Sequence, residues 1–235
     1  MLDVIIFSVL AGITMLLGGI AARTIHFRSR WLDSEFKHGV VAFGGGALIS
    51  AVALVLIPQG LEYASPANVI ASFIAGGVVF FLVDRTIQRS GLKIAQLLAM
   101  ILDYVPESIA LGAVLAGKST EGLLLALLIA LQNFPEGFNA FREIKETGHY
   151  RANTIIAVFG ALVLLGPAAA VTGYVFLFDD PEILGGLMCF ASAGILYLMF
   201  QDIAPLAHYR RHWGPPLGAV AGFLAGLVGQ MVLGS

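Results

Sequence analysis

The sequence predicts an all-α, polytopic membrane protein with eight transmembrane helices, and three observations carry that prediction. First, 58% of the 235 residues are hydrophobic and only 12% are charged, against roughly 25% charged in an ordinary soluble domain. A mean hydropathy of +0.90 leaves too few polar side chains to cover a surface in water. Second, eight stretches approach the ~20 apolar residues that a helix needs to cross a ~30 Å hydrocarbon core. Third, the 28 glycines suit helices packed tightly in lipid better than a soluble core.

The eight spans, in order, are Val4–Ala22, Val40–Ile57, Ala67–Val83, Ile94–Gly117, Gly122–Phe141, Thr154–Phe178, Ile183–Phe200 and Pro215–Leu233. The first has neither a charged n-region nor a small-residue cleavage site, so it reads as a retained helix. No connection is long enough for a soluble domain, and residues 1–235 form one transmembrane domain. A single cysteine excludes a disulfide framework and a Cys-rich metal site. Thirteen basic and fifteen acidic residues, with no basic stripe, argue against nucleic acid as a partner.

Basic residues orient the chain. The connection after the first span carries Arg23, Arg28, Arg30 and Lys37. Arg85, Arg89 and Lys93 follow the third span, Arg142, Lys145 and Arg151 the fifth, and Arg210 and Arg211 the seventh. The alternate connections hold only Lys118, with acids such as Glu62, Asp179, Asp180 and Glu182. Both termini are therefore expected outside a plasma (cell inner) membrane, and that shared side supports an even number of spans.

The chemistry lies in the fourth and fifth spans. One reads Asp103-Tyr104-Val105-Pro106-Glu107-Ser108 and the other Gln132-Asn133-Phe134-Pro135-Glu136-Gly137. Each places a polar residue four positions before a Pro-Glu pair, so Asp103 with Glu107, and Gln132 with Glu136, share one helical face. Each proline also frees a carbonyl one turn earlier. The short connection from Lys118 to Glu121 makes these helices antiparallel neighbours, with their polar faces meeting.

A carboxylate at a helix centre costs about 2.5–3.5 kcal/mol on the lenient insertion scale, so three cost roughly 8–10 kcal/mol unpaired. No Lys or Arg lies at matching depth, which leaves protons, water or a metal cation as the compensating partner. Two Glu, one Asp, one Gln and one Asn offer oxygen alone, the ligand set of hard divalent cations. The competing reading is that these groups only tie helices together, a role usually met by Ser, Thr or Asn without ionisable groups. It has most force for Asn133. Tyr104, at mid-span, reads as packed.

These paired Pro-Glu motifs resemble those of the ZIP (zinc-iron permease) transporters, whose fourth and fifth helices typically read His-Asn-x-Pro-Glu/Asp-Gly and His/Gln-Asn/Asp-x-Pro-Glu. Residues 44–62 (GGGALISAVALVLIPQGLE), 80–87 (FFLVDRTI) and 196–208 (LYLMFQDIAPLAH) resemble the second, third and seventh helices of that family. The resemblance spans nearly the whole chain. It implies a ZIP-like bundle with both termini outside, and a divalent cation (Zn²⁺, Mn²⁺ or Fe²⁺) as substrate, moved toward the cytoplasm without an organic cofactor. It implies a transport site of Asp103, Glu107, Gln132 and Glu136, and it places Asn133, with the bridging Glu107 and Glu136, in a second site. Asp202 and His208 would receive metal on an exit path, although an interfacial, hydrated carboxylate accounts for Asp202 equally well.

The departures are specific. Asp103 stands where the family usually has His, Tyr104 where it has Asn, and Ser108 where it has Gly. The sixth span reads Gly166-Pro167 without the acidic residue often found before that proline. Val55, Gln59 and Leu206 replace common His, Glu and Glu. The second site thus loses two ligands, and a single metal is expected. Losing the histidine removes the nitrogen that favours zinc, which shifts selectivity toward Mn²⁺, Fe²⁺ or Mg²⁺.

No phosphate loop, dinucleotide-binding glycine pattern or His-Glu-x-x-His helix is present, so an enzyme is not expected. The alternatives are a relative that binds metal without moving it, as a sensor or structural subunit, and, further off, an intramembrane hydrolase. The four-residue repeat Gly218, Gly222, Gly226 marks a close helix contact, within the chain or across a homodimer. Asp84-Arg85 reads as a juxtamembrane pair, and Cys189 as a small buried hydrophobe. His208 and His212, flanking Arg210 and Arg211, read as part of the basic cluster.

Overall fold

The computed structural model describes residues 1–25, 29–90, 95–117, 120–207 and 213–233. Within them every regular element is helical, and eight helices are long and apolar enough to cross a membrane. These are α1 (Leu2–Thr24), α2 (Trp31–Tyr63), α3 (Pro66–Ser90), α4 (Leu97–Ala116), α5 (Thr120–Glu146), α6 (Ala152–Phe176), α7 (Pro181–Ala207) and α8 (Pro215–Leu233). The eight spans read from the sequence are all there. The largest difference is α2, which starts well before Val40. A Ser29 side chain caps its first turn, and its charged start, with Asp33, Glu35 and Lys37, continues the helix beyond the apolar stretch. Hydropathy alone does not register a helix that leaves the apolar layer without breaking.

Prolines inside the helices are accommodated in three ways. A proline ring collides with the carbonyl four residues earlier, so the helix must widen, break or leave that carbonyl unbonded. In α2 and α7 the helix widens into one π turn, Val52–Leu56 before Pro58 and Met199–Ile203 before Pro205, at the same offset from each proline. In α6 it breaks at residues 163–164, just ahead of Pro167. Through Pro106 in α4 and Pro135 in α5 the α-helix continues, which leaves the carbonyls of Leu102 and Leu131 without their usual donors.

The most extensive helix contacts join α1 to α5, α2 to α8, α3 to α7 and α4 to α6. Glycines set these approaches. A Cβ on Gly137 would strike the Met15 carbonyl, and one on Gly222 the Phe43 carbonyl. The repeat in α8 therefore packs on α2 within the same chain, where Gly218 faces Gly39 and Gly226 faces Ser50. Helices α1, α4, α5 and α6 form one group and α2, α3, α7 and α8 another, meeting mainly where α2 faces α5 and α4 faces α7. Exchanging α1 with α6, α2 with α7, α3 with α8 and α4 with α5 maps these principal contacts onto one another. The two π turns exchange with each other, and so do the two Pro-Glu helices.

Exposed apolar side chains such as Ile70, Ile74, Val78 and Leu82 run along α3, a surface suited to lipid rather than water. The Gly137→Ala substitution should lower the melting temperature of the detergent-purified protein. The clash is with backbone, which cannot rotate away, and overpacking costs about 1–3 kcal/mol. Gly77→Ala serves as the control, because a Cβ there meets nothing within 4 Å. Equal melting temperatures for both would show that the α1–α5 approach does not need this glycine.

Candidate metal centre between α4 and α5

Helices α4 and α5 are antiparallel neighbours. Near their turn Leu115 meets Gly122, and farther in the Gln132 amide donates to the Glu107 carboxylate. The polar faces thus meet as the spacing predicts. Asp103, Glu107, Gln132, Asn133 and Glu136 are all buried, with Glu107, Gln132 and Asn133 fully enclosed. Asp103 lies close enough to Glu107 and Glu136 to feel both carboxyl groups. Among the described residues no Lys or Arg is buried beside them.

The hydrogen bonding is one-sided. Gln132 gives an amide hydrogen to Glu107, and Asn133 gives one to the Ala11 carbonyl at 3.0 Å, tying α5 to α1. What remains is a set of acceptors. Asp103 Oδ1, Glu107 Oε1, Gln132 Oε1, Asn133 Oδ1 and both oxygens of Glu136 are buried without a protein donor. Buried polar atoms are nearly always satisfied, so six unmatched oxygens on five neighbouring residues identify a place for a positively charged or proton-donating partner. Among the described residues no three of His, Cys, Asp and Glu are drawn together tightly enough to hold a metal unaided. The unmatched amide oxygens of Gln132 and Asn133 are the available additional ligands.

Tyr104 turns away from this set. Its ring is buried between α1 and α6, with the hydroxyl against Gly12 and Gly166, where any Cβ would collide with it. Tyr104 is therefore packed, as the sequence reading has it. Ser108 is buried as well.

From Glu136 the polar face of α5 continues toward the end of the bundle that carries Arg142 and Lys145. A cavity of about 10 Å³, room for about one water, touches Glu136, Asn139 and Pro135 on α5 and Gly44, Gly45 and Ile203 across from it. Asn139 also lines a second cavity of about 380 Å³, together with Glu143, Glu146, Asp202 and Lys37. Asp202 sits in the π turn of α7, half-buried, and feels the charges of Asp84 and Glu143. His208, paired with Asp202 in the sequence reading, lies outside the described residues, as do His212, Arg210 and Arg211.

Sequence reasoning passed over Asn139, Glu143 and Glu146. Their signal is helical periodicity, since each recurs on the Glu136 face of α5. Asp84 also corrects the sequence reading. Rather than pairing with Arg85 at the surface, it is buried and accepts from Tyr197 at 2.9 Å and from Gln88 at 3.0 Å. Arg85 instead lies over the Phe81 ring. A tyrosine more than a hundred residues away supplies the bond, which no local pattern could indicate. Cys189 is buried and free, as expected.

No protein-family model matches the chain, and no curated protein matches it.

Proposed function

We propose that this chain is a ZIP-like transporter of divalent metal cations, Zn²⁺, Mn²⁺ or Fe²⁺, which pass between α4 and α5 toward the cytoplasm. The observation that carries the reading is the enclosed set of unmatched acceptor oxygens on two proline-bearing antiparallel helices. A permanent cavity of protons or water has no need of two amides held with their oxygens left over. A passing hard cation does. Two features support movement rather than storage. The contacts obey an inverted exchange that relates α4 to α5, the arrangement in which secondary transporters bind substrate at the repeat interface. An acid-lined cavity also lies at the basic end of the bundle and shares Asn139 with the small cavity against Glu136.

In this reading the basic end faces the cytoplasm of a plasma (inner) membrane, and both termini lie outside. The group α1, α4, α5 and α6 slides against α2, α3, α7 and α8 to expose the metal alternately. With no ATP-binding motif, the ion runs down its own gradient or is coupled to protons. Crossing the two groups are the Asp33–Arg142 pair at 3.1 Å and the Lys37–Glu146 pair at 3.3 Å, both from α2 to α5, which must rearrange during such a movement.

A metal-binding relative without transport, a sensor or structural subunit, would use the same unmatched oxygens. Uptake separates the two readings. Purified protein in liposomes should accumulate at least one of Zn²⁺, Mn²⁺ and Fe²⁺ above protein-free liposomes. Tight binding with no accumulation of any of them would favour the sensor. Neither binding nor accumulation would remove both.

A further inference from the structure

The ends of α1, α5 and α6 enclose a cavity of about 280 Å³ at the basic end of the bundle. Its walls hold Arg23, Arg142 and Lys145, with a single acid, Glu146, and Ala152 at the start of α6. Three cations around one concavity repel one another, and two of them are held in place by partners. Arg23 closes α1 and donates to Asn153 at 2.7 Å, which holds its guanidinium over the first turn of α6. Arg142 is clamped by Asp33 through two bonds at 3.1 Å and lies 4.8 Å from the Phe138 ring centre. Lys145 has no partner among the described residues. Glu146 is shared with Lys37 of α2 at 3.3 Å, which offsets part of its charge.

The start of α6 adds to this field. Its N-cap is Arg151, whose side chain makes no capping bond; the Thr154 and Ile155 amides bond the Arg151 carbonyl, so the amides of Ala152 and Asn153 and the positive end of the dipole are what the helix start offers. Lys145 and Arg23 thus meet an open helix start in a cavity large enough for a tetrahedral anion.

We propose that this cavity is a phosphate-group site, which takes either the phosphodiester of an anionic lipid headgroup or free phosphate. Arg23 supplies a planar pair of donors for two phosphate oxygens, and Lys145 a mobile point charge for a third. Basic pockets between transmembrane helices bind lipid headgroups in this way. Because Arg23, Lys145 and Asn153 belong to α1, α5 and α6, a phosphate held there bridges three helices of the group that also carries Glu107 and Glu136. The site stands independently of the transport reading.

The test uses the full-length protein. Native mass spectrometry after exchange into mixed micelles counts bound phosphatidylglycerol against phosphatidylcholine, and a parallel titration follows melting temperature against inorganic phosphate. Wild type should retain phosphatidylglycerol preferentially, or be stabilised by phosphate, and the arm that responds identifies the source. Lys145→Gln removes an exposed, unpartnered charge, so the fold is not at risk, and the response should weaken roughly fivefold. Arg23→Gln should weaken it by a similar factor, and Arg23→Lys should restore part of it. No response in either arm, or a response equal in wild type, Lys145→Gln and Arg23→Gln, would overturn the proposal.

Discussion

Replacing Glu136 with alanine should abolish metal uptake while leaving the protein folded as well as wild type or better. Neither of its carboxyl oxygens has a neutral protein donor, and the polar group within hydrogen-bonding reach is another acid, Asp103, so their loss relieves a contact between two carboxyl groups. A carboxylate at mid-membrane costs about 2.5–3.5 kcal/mol, which the substitution recovers in the metal-free state. Glu107 behaves differently, because it accepts from Gln132. The Glu107→Ala variant should lose uptake equally, yet leave the Gln132 amide without its acceptor, a penalty of about 1–3 kcal/mol. The expected order of melting temperature without metal is therefore Glu136→Ala above Glu107→Ala. Added metal should stabilise wild type but neither variant, since ligands bound only by the folded state raise its stability. Uptake and metal-induced stabilisation that survive both substitutions would remove this site from consideration.

The Asp103→His substitution should change which metal is preferred. Asp103 is buried within reach of Glu107 and Glu136 and leaves one oxygen unmatched. An imidazole there replaces one hard oxygen with a borderline nitrogen and removes one negative charge. Zinc gains from the nitrogen more than manganese does. Competitive uptake should move toward Zn²⁺ over Mn²⁺ by on the order of tenfold, the lower end of what changes in a metal's ligand surroundings produce. The pH profile supplies a second readout. Metal and protons compete for the same carboxylates, so binding releases protons and affinity falls as pH falls. With an imidazole in place of one carboxyl, the proton displaced at that position leaves a nitrogen of ordinary pKa about 6.5 instead, so the shape of affinity against pH should change. If neither the metal ratio nor the profile moves, Asp103 does not touch the cation.

Much about this protein was legible without coordinates, because membrane insertion and helix periodicity are local properties. Eight apolar stretches, the Pro-Glu template in the fourth and fifth spans, and the side-by-side placement of Asp103 with Glu107 and of Gln132 with Glu136 each follow from a window of a few turns. The short connection from Lys118 to Glu121 made α4 and α5 neighbours for the same reason. Tertiary structure alone decided which distant helices pair. Lipid supplies no preference between one apolar face and another, so the choice rests on where a small residue on one helix meets a backbone on another, as Gly137 does Met15 and Gly222 does Phe43. That matching sent the α8 glycine repeat onto α2 within the chain, wedged Tyr104 between Gly12 and Gly166 rather than into the site, and buried Asp84 against Tyr197. It also lined up Asn139 and Glu143 with Asp202, residues from helices far apart in sequence, around a single cavity. Which side chains share an enclosure depends on shape complementarity between surfaces, and no stretch of one helix contains the other surface.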